Sequence, residues 1–453
     1  MAIRPMLDLS IINACAASVL VRPRRALAAA IAALLLIAGA PSASMARTKA
    51  ASADSFLNSL GINIHVDQGI DPNSYVEALK YTGIRQVRDG ERHADGNLMI
   101  AQKTGVRYIL NSGGDLNGLI ASAELLAKNG ALLALEGPNE PNNFPIHYKG
   151  QQGGGQGKSW IAVAQYQADL YAAAKRNPLL RQYPVFSPSE VGAQTDNVGL
   201  QFLTIPPGVD TTIPPGTKFA DYANIHNYVI GNGGVYGDNQ AWNAASPTLN
   251  ERWDGLFGNN GLTWFRHYKG YGNDRLQNLP RVTTETGWDT VVNPGGEHTQ
   301  GAILTNTYLA QFKRGWSYTF IYQMRDGEGG DGNQGIYVGD NPKRAAVYIH
   351  NLTTILSDDK PLPQPGSLDY EIPKQPNTVH DLLLQKSTGA FALAIWGERV
   401  KGTDAVTVKW PAAHKTVNIY DVTLGTTPIR TLTNAASVEL ILADHALIVE
   451  IID

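Results

Sequence analysis

From Gly61 onward two hydrophobic patterns alternate along the chain. Short runs rich in β-branched and aromatic residues have the length and composition of strands: GINIHV (Gly61–Val66), IRQVR (Ile84–Arg88), RYILN (Arg107–Asn111), ALLALE (Ala131–Glu136), YPVFS (Tyr183–Ser187), YANIHNY (Tyr222–Tyr228), RVTTE (Arg281–Glu285) and YTFIYQ (Tyr318–Gln323). Helix-period segments fall between most of them, over 73–81, 116–127, 159–177, 299–315 and 343–357. Thr104-Gly105, Asn129-Gly130 and Arg314-Gly315 supply the glycine expected just past a helix end. Eight strand-helix units in about 300 residues predict a TIM (β/α)8 barrel, for which about 250 residues is typical before insertions. A doubly wound open sheet is the runner-up, but Asp67-Gln68-Gly69 after the first run does not provide its phosphate-binding glycine loop.

The pattern changes after DDKPLPQPG (Asp358–Gly366), whose prolines mark a linker. Only strand-like runs follow: HDLLLQK, FALAIWG, AVTVKW, TVNIYDV, SVELIL and ALIVEII. They predict a small C-terminal antiparallel β-sandwich over 367–453, behind a catalytic barrel over 47–357.

Residues 1–46 have a different character. Arg22, Arg24 and Arg25 precede an apolar stretch from Ala26 to Ala40, and Ser44-Met45-Ala46 suits signal peptidase. The expectation is a signal peptide cleaved after Ala46, a secreted or periplasmic protein, and no membrane anchor after cleavage. The only cysteine, Cys15, lies in this leader, so disulfides and thiol catalysis are excluded from the mature chain. Removing 1–46 leaves 37 − 4 = 33 basic and 40 − 1 = 39 acidic residues, a net charge of −6. That balance argues against nucleic acid or an anionic membrane as partner.

Barrel chemistry comes from the C-terminal ends of strands. The fourth run leads through a Gly-Pro break into Asn139-Glu140-Pro141, and the seventh ends at Glu285 within TETGW. Two carboxylates on different strands can face each other across the mouth, which glycoside hydrolysis requires: one acid protonates the leaving oxygen, one carboxylate attacks.

An Asn-Glu-Pro after strand four with a Thr-Glu-Thr-Gly-Trp at strand seven resembles the retaining glycoside hydrolases of clan A. The likeness is nearest to family 39, with families 5 and 30 as relatives, and covers the chain from about Gly61 to its C-terminus. KRAAVYIHNLTTILSDD (Lys343–Asp359) is similar to the last barrel helix of that group. The resemblance implies Glu140 as general acid/base, Glu285 as nucleophile, Asn139 as partner of the sugar 2-hydroxyl and Arg88 beside the nucleophile. Burial and a neighbouring negative charge would keep Glu140 protonated. His226 and Tyr228 match a clan His-x-Tyr whose tyrosine touches the nucleophile, although a buried structural tyrosine is an equal reading. His65, Asn111 and Trp288 would line the sugar subsite, with plain packing as the competing reading for each. The strand-eight end departs from the clan: Tyr322, Gln323, Arg325 and Asp326 stand where many members carry a tryptophan.

Other motifs fall away. GGGQGKS nearly spells a phosphate loop, but Gln152 occupies the first glycine position and no strand precedes it. DGEGGDGN (Asp326–Asn333) lacks the spacing of a calcium loop and is expected to be a substrate loop. Gln151–Lys158 and Gly231–Asp238 are further glycine-rich loops at the same face. The sequence therefore predicts an exported retaining glycoside hydrolase that needs no cofactor and acts on a poly- or oligosaccharide. A non-catalytic carbohydrate-binding barrel and a transglycosylase with the same site are the alternatives.

Overall fold

The eight runs form eight parallel strands: β1 (Leu60–Asn63), β2 (Gln86–Gly90), β3 (Arg107–Ser112), β4 (Leu132–Pro138), β5 (Val185–Phe186), β6 (Ala223–His226), β7 (Arg281–Thr286) and β8 (Trp316–Ile321). Their hydrogen-bonded order is β6-β7-β8-β1-β2-β3-β4-β5, and a parallel bridge from Phe186 to Tyr222 closes the ring between β5 and β6. This is a TIM barrel. The computed structural model describes residues 45, 47–141, 143–154, 161–189, 218–230, 240–241, 279–292, 295–330, 332–358, 360–399 and 402–453. The expected leader, apart from Met45, and the glycine-rich stretches 155–158 and 231–238 lie outside these residues.

Six helices of ten or more residues pack around the described part of the ring: α1 (Asn73–Thr82), α2 (Ala94–Thr104), α3 (Leu116–Lys128), α4 (Ile161–Arg176), α5 (Gly296–Lys313) and α6 (Arg344–Ile355). The sequence pattern does not announce α2. Its first turn is polar and carries Gly96, and only Asn97, Ile100 and Ala101 are buried. Gly105, Gly130 and Gly315, expected past helix ends, do adopt left-handed φ values of 79°, 70° and 83°.

Strand alternation creates two apolar layers. On β3, Tyr108 and Leu110 face the helices while Ile109 faces inward. The inward set, Ile109, Leu133, Ala134, Phe186, Val282 and Phe320, plugs the barrel floor. Gly61 on β1 makes room for the Phe320 ring, since a Cβ there would stand 2.3 Å from it. Burying that ring is worth about 1.5–3 kcal/mol. With the floor filled, the space left for chemistry is the mouth.

The C-terminal runs build a six-stranded sheet around a second apolar core. AVTVKW and TVNIYDV, expected as two strands, are one long strand, Asp404–Asp421, irregular between Lys409 and His414; Val406, Val408, Val417 and Ile419 on either side of the irregularity share the core. All pairings in this sheet are antiparallel but one. Ala51–Ser52 adds a parallel strand beside Val379–Gln385, and Arg47–Lys49 pairs with Ser367–Asp369. Ala51–Ser52 thus joins the C-terminal sheet, while Arg47–Lys49 and Ser367–Asp369 form a separate two-stranded sheet. Across the seam, Asn306 of α5 donates to the Gly397 and Asp444 carbonyls and Asn351 of α6 to that of Val422. No helix among the described residues is long and apolar enough to cross a membrane.

Candidate active site

At the end of β4 the chain turns sharply. Gly137 lets Gln167 of α4 close against it, since a Cβ would meet Gln167 Oε1 at 2.0 Å. Glu140 then adopts φ 39°, an unusual conformation for a residue with a side chain and one that costs of order 1–3 kcal/mol. Its N–H donates to Ser189 Oγ (3.3 Å) and its carbonyl accepts from the N–H groups of Asn143 and Phe144, both at 2.8 Å. The turn holds the Glu140 carboxyl at the mouth, where Oε2 accepts from Asn143 Nδ2 (2.9 Å) and Oε1 lies 2.6 Å from His226 Nδ1.

Glu285, on β7, faces it. Arg88 Nη1 donates to Glu285 Oε1 at 2.6 Å, Tyr228 Oη donates to Oε2 at 2.8 Å, and His226 Nδ1 is 3.4 Å from Oε2. Glu140, His226 and Glu285 each place one ligand-capable atom within 4.8 Å of the other two. One oxygen of each carboxylate therefore lies within 4.8 Å of one from the other. These atoms could also surround a cation, but the guanidinium on Glu285 Oε1 already supplies positive charge there.

Arg88 is the hub. It forms a two-pronged pair with Glu136 (Nε to Oε2 and Nη2 to Oε1, both 2.8 Å) and donates to Asn63 Oδ1 (2.9 Å) and Asn139 Oδ1 (2.7 Å). Taking Asn139 by its oxygen turns that amide's NH2 outward as a donor. Asn63 in turn donates to the Thr284 and Ile321 carbonyls, which ties β1 to β7 and β8.

A hydrogen-bond chain lies behind the carboxylates. Thr284 Oγ1 is 3.2 Å from Glu136 Oε1 and 3.0 Å from Asn224 Oδ1, both acceptors, so its hydrogen goes to one of them. Its lone pair then takes the hydrogen of His226 Nε2, 3.0 Å away. His226 Nδ1 and Glu140 Oε1 consequently share one proton across 2.6 Å. Burial pushes Glu140 up, but the bonds and charge from His226, Asn143 and Arg88 outweigh it and hold the carboxyl below its ordinary value. Burial pushes Glu285 up more than His226 and Arg88 pull it down, and the negative Glu140 adds to the rise. Sequence reasoning expected burial to keep the proton on Glu140. The hydrogen bond and charge from His226 reverse that expectation and hold the carboxyl below its ordinary value.

The remaining expected residues divide. The mouth opens into a cavity of about 660 Å³ lined by Asn63, His65, Arg88, Asn111, Asn139, Glu140, Phe144, Tyr228, Glu285 and Tyr322 among others, within the usual range for small-molecule sites. His65 bonds Gln323 Oε1 (2.5 Å) and packs edge-on to Tyr322; Asn111 donates to the Asp89 carbonyl (3.1 Å). Trp288 does not line this cavity. It is buried against Val229 and Ile303, so the packing reading applies to it. In the strand-eight loop, Asp326 is paired with Lys343 (2.6 Å) and Glu328 accepts from Tyr75 Oη (2.7 Å).

Glu136, Asn63, Asn143 and Thr284 were not anticipated. Glu136 did carry a signal: a lone carboxylate closing an apolar strand needs a buried cation. Asp67 and Asp89 also went unnoticed. Both line the cavity and the Asp67 N–H lies 3.3 Å from an Asp89 carboxylate oxygen, while burial and then the Asp67 charge push Asp89 well above the usual carboxylate range.

The barrel followed by an antiparallel sheet is a fold that solved glycoside hydrolase structures share. No protein-family model matches the sequence, and no curated protein matches it. Solved structures do. A family 39 glycoside hydrolase from the gut symbiont Bacteroides cellulosilyticus superposes with TM-score 0.54 at 14% identity, over 88% of this chain and 82% of that one. A family 51 arabinofuranosidase from Xanthomonas axonopodis pv. citri gives 0.53 at 12% (90% and 98%), and a family 30 endoxylanase from Clostridium papyrosolvens 0.51 at 12% (90% and 98%). At such identities the likeness is one of fold.

Proposed function

We propose that this chain is an exported retaining glycoside hydrolase that cleaves a poly- or oligosaccharide by double displacement. The observation that carries the reading is the pair of facing carboxylates, one just past β4 and one on β7, with an oxygen of each within 4.8 Å of the other. Glu285, ionised and oriented by Arg88 and Tyr228, attacks the anomeric carbon. Glu140 delivers the proton it shares with His226 to the departing oxygen as the glycosidic bond breaks. Ester formation removes the Glu285 charge, and Glu140, now a carboxylate, takes a proton from water as that water displaces Glu285. Asn139, held by Arg88, donates to the sugar hydroxyl next to the reacting carbon. The leader over 1–46 supports export, so the substrate is an extracellular or periplasmic glycan.

The test is Glu140→Ala on an aryl glycoside with a good leaving group, with and without azide. Such a substrate needs no protonation, so glycosylation proceeds and azide, which needs no base, releases the glycosyl-enzyme as the azide of retained configuration. Turnover should fall by roughly 10²–10⁴-fold without azide. Wild-type activity in this variant, or a product of inverted configuration, would refute the assignment. Xylan and aryl arabinofuranosides are the first substrates to screen, after the neighbours of this fold.

A further inference from the structure

A second cluster of metal-binding side chains lies away from the mouth, where α5 meets the C-terminal sheet. His298, in the first turn of α5, reaches the turn between strands Arg430–Leu442 and Ala446–Ile452, which carries Asp444 and His445. His298 Nε2 is 3.0 Å from Asp444 Oδ2, His445 Nδ1 is 3.0 Å from Asp444 Oδ1, and one ligand atom from each residue lies within 4.8 Å of the other two. Bonds of about 2.0–2.2 Å in a tetrahedral zinc site put neighbouring ligand atoms roughly 3.3 Å apart. The cluster needs only small shifts to reach that spacing.

An independent observation concerns the outward-facing nitrogens. His445 Nε2 lies 3.2 Å from Asp421 Oδ2, and His298 Nδ1 lies 2.9 Å from Tyr348 Oη on α6. Each imidazole is thus held by its far nitrogen, with the near nitrogen aimed at Asp444. That is how metal-ligating histidines are oriented in proteins, by a carboxylate or another oxygen behind the ring.

We propose that His298, Asp444 and His445 form a binding site for a divalent transition metal of the zinc class, which ties α5 of the barrel to the last hairpin of the sheet. Two imidazoles and one carboxylate select such ions over Mg²⁺ and Ca²⁺, which prefer all-oxygen shells. The ion takes no part in the barrel-mouth chemistry. Binding only the folded state, it raises thermal stability.

The experiment uses the tag-free full chain, stripped with chelator and titrated with ZnCl2 at pH 7.5 by calorimetry and thermal melting. The expected result is one Zn²⁺ per chain and a Tm several degrees higher at saturating metal, with no response to MgCl2 or CaCl2. Both signals should be lost in His298→Gln and His445→Gln and kept in Glu140→Gln. If the histidine variants fail to fold, Asp421→Asn decides, because it leaves every metal-contacting atom in place and should weaken binding by about 10–100-fold. Zinc binding that survives in both histidine variants or is unchanged in Asp421→Asn, that vanishes in Glu140→Gln, or that is absent from the wild type would overturn the proposal.

Discussion

The barrel mouth and the barrel-sheet seam both bury polar side chains, but in different currencies. At the mouth, ionised groups from the ends of β2, β4 and β7 converge: Arg88 bridges Glu136 and Glu285 with almost no water around them. At the seam, neutral amides carry part of the contact, as Asn306 does with two carbonyls and Asn351 with that of Val422, and the ionisable cluster of His298, Asp444 and His445 is only half-buried. Neutral pairs cost little to bury, whereas each buried ion loses several kcal/mol of hydration that pairing only partly returns. A sequence selected for stability alone would fill the mouth with apolar residues. In the proposed reaction, attack on carbon needs a carboxylate kept ionised without water, which accounts for charges at the mouth.

Arg88→Met should break the mouth most severely. It leaves the fully buried Glu136 and the adjacent Glu285 without their cation, so unfolding free energy by denaturant titration should drop by about 3–5 kcal/mol, and hydrolysis should become undetectable. Adding Glu136→Gln to that variant removes the stranded charge. Stability should then recover in part while activity stays lost, and an active double variant would mean that Arg88 serves only to neutralise Glu136.

Tyr228→Phe probes one bond within the same cluster. Its hydroxyl donates to Glu285 Oε2 and so pulls that carboxyl down, against the burial that raises it above the ordinary 4.5. Activity requires ionised Glu285 and is lost as pH falls through this raised value. Without the hydroxyl the value rises further, so the acid limb of kcat/KM should move to higher pH, with a loss of roughly tenfold or more at the optimum. An unmoved acid limb would separate Tyr228 from the nucleophile.

This contrast also marks what could be read in advance. Strands announce themselves by local composition, and the ends of the fourth and seventh located Glu140 and Glu285 on the frame. Arg88 and Glu136 are 48 residues apart, and nothing local in either segment says that they pair. The facing of Trp288 was equally hidden, because past the end of β7 the pleat no longer dictates direction and the loop's packing does. The pairing of Arg47–Lys49 with Ser367–Asp369 is a contact across some 300 residues that leaves no trace in a three-residue strand. A signal that was present went unread in ALLALE, where alternation turns a terminal glutamate toward the barrel interior.

Asn351→Ala, at the seam, should have the smallest effect. The substitution leaves the Val422 carbonyl without its 2.8 Å donor in a buried position and opens a small void. The expected cost is about 1–3 kcal/mol of unfolding free energy, read from the urea midpoint at unchanged slope. Because no charge is stranded and the mouth rests on other strands' ends, kcat/KM and both limbs of its pH profile should match the wild type. A shifted pH profile would show that α6 transmits strain to β8 and the mouth, and the two regions would then have to be treated as one coupled structure.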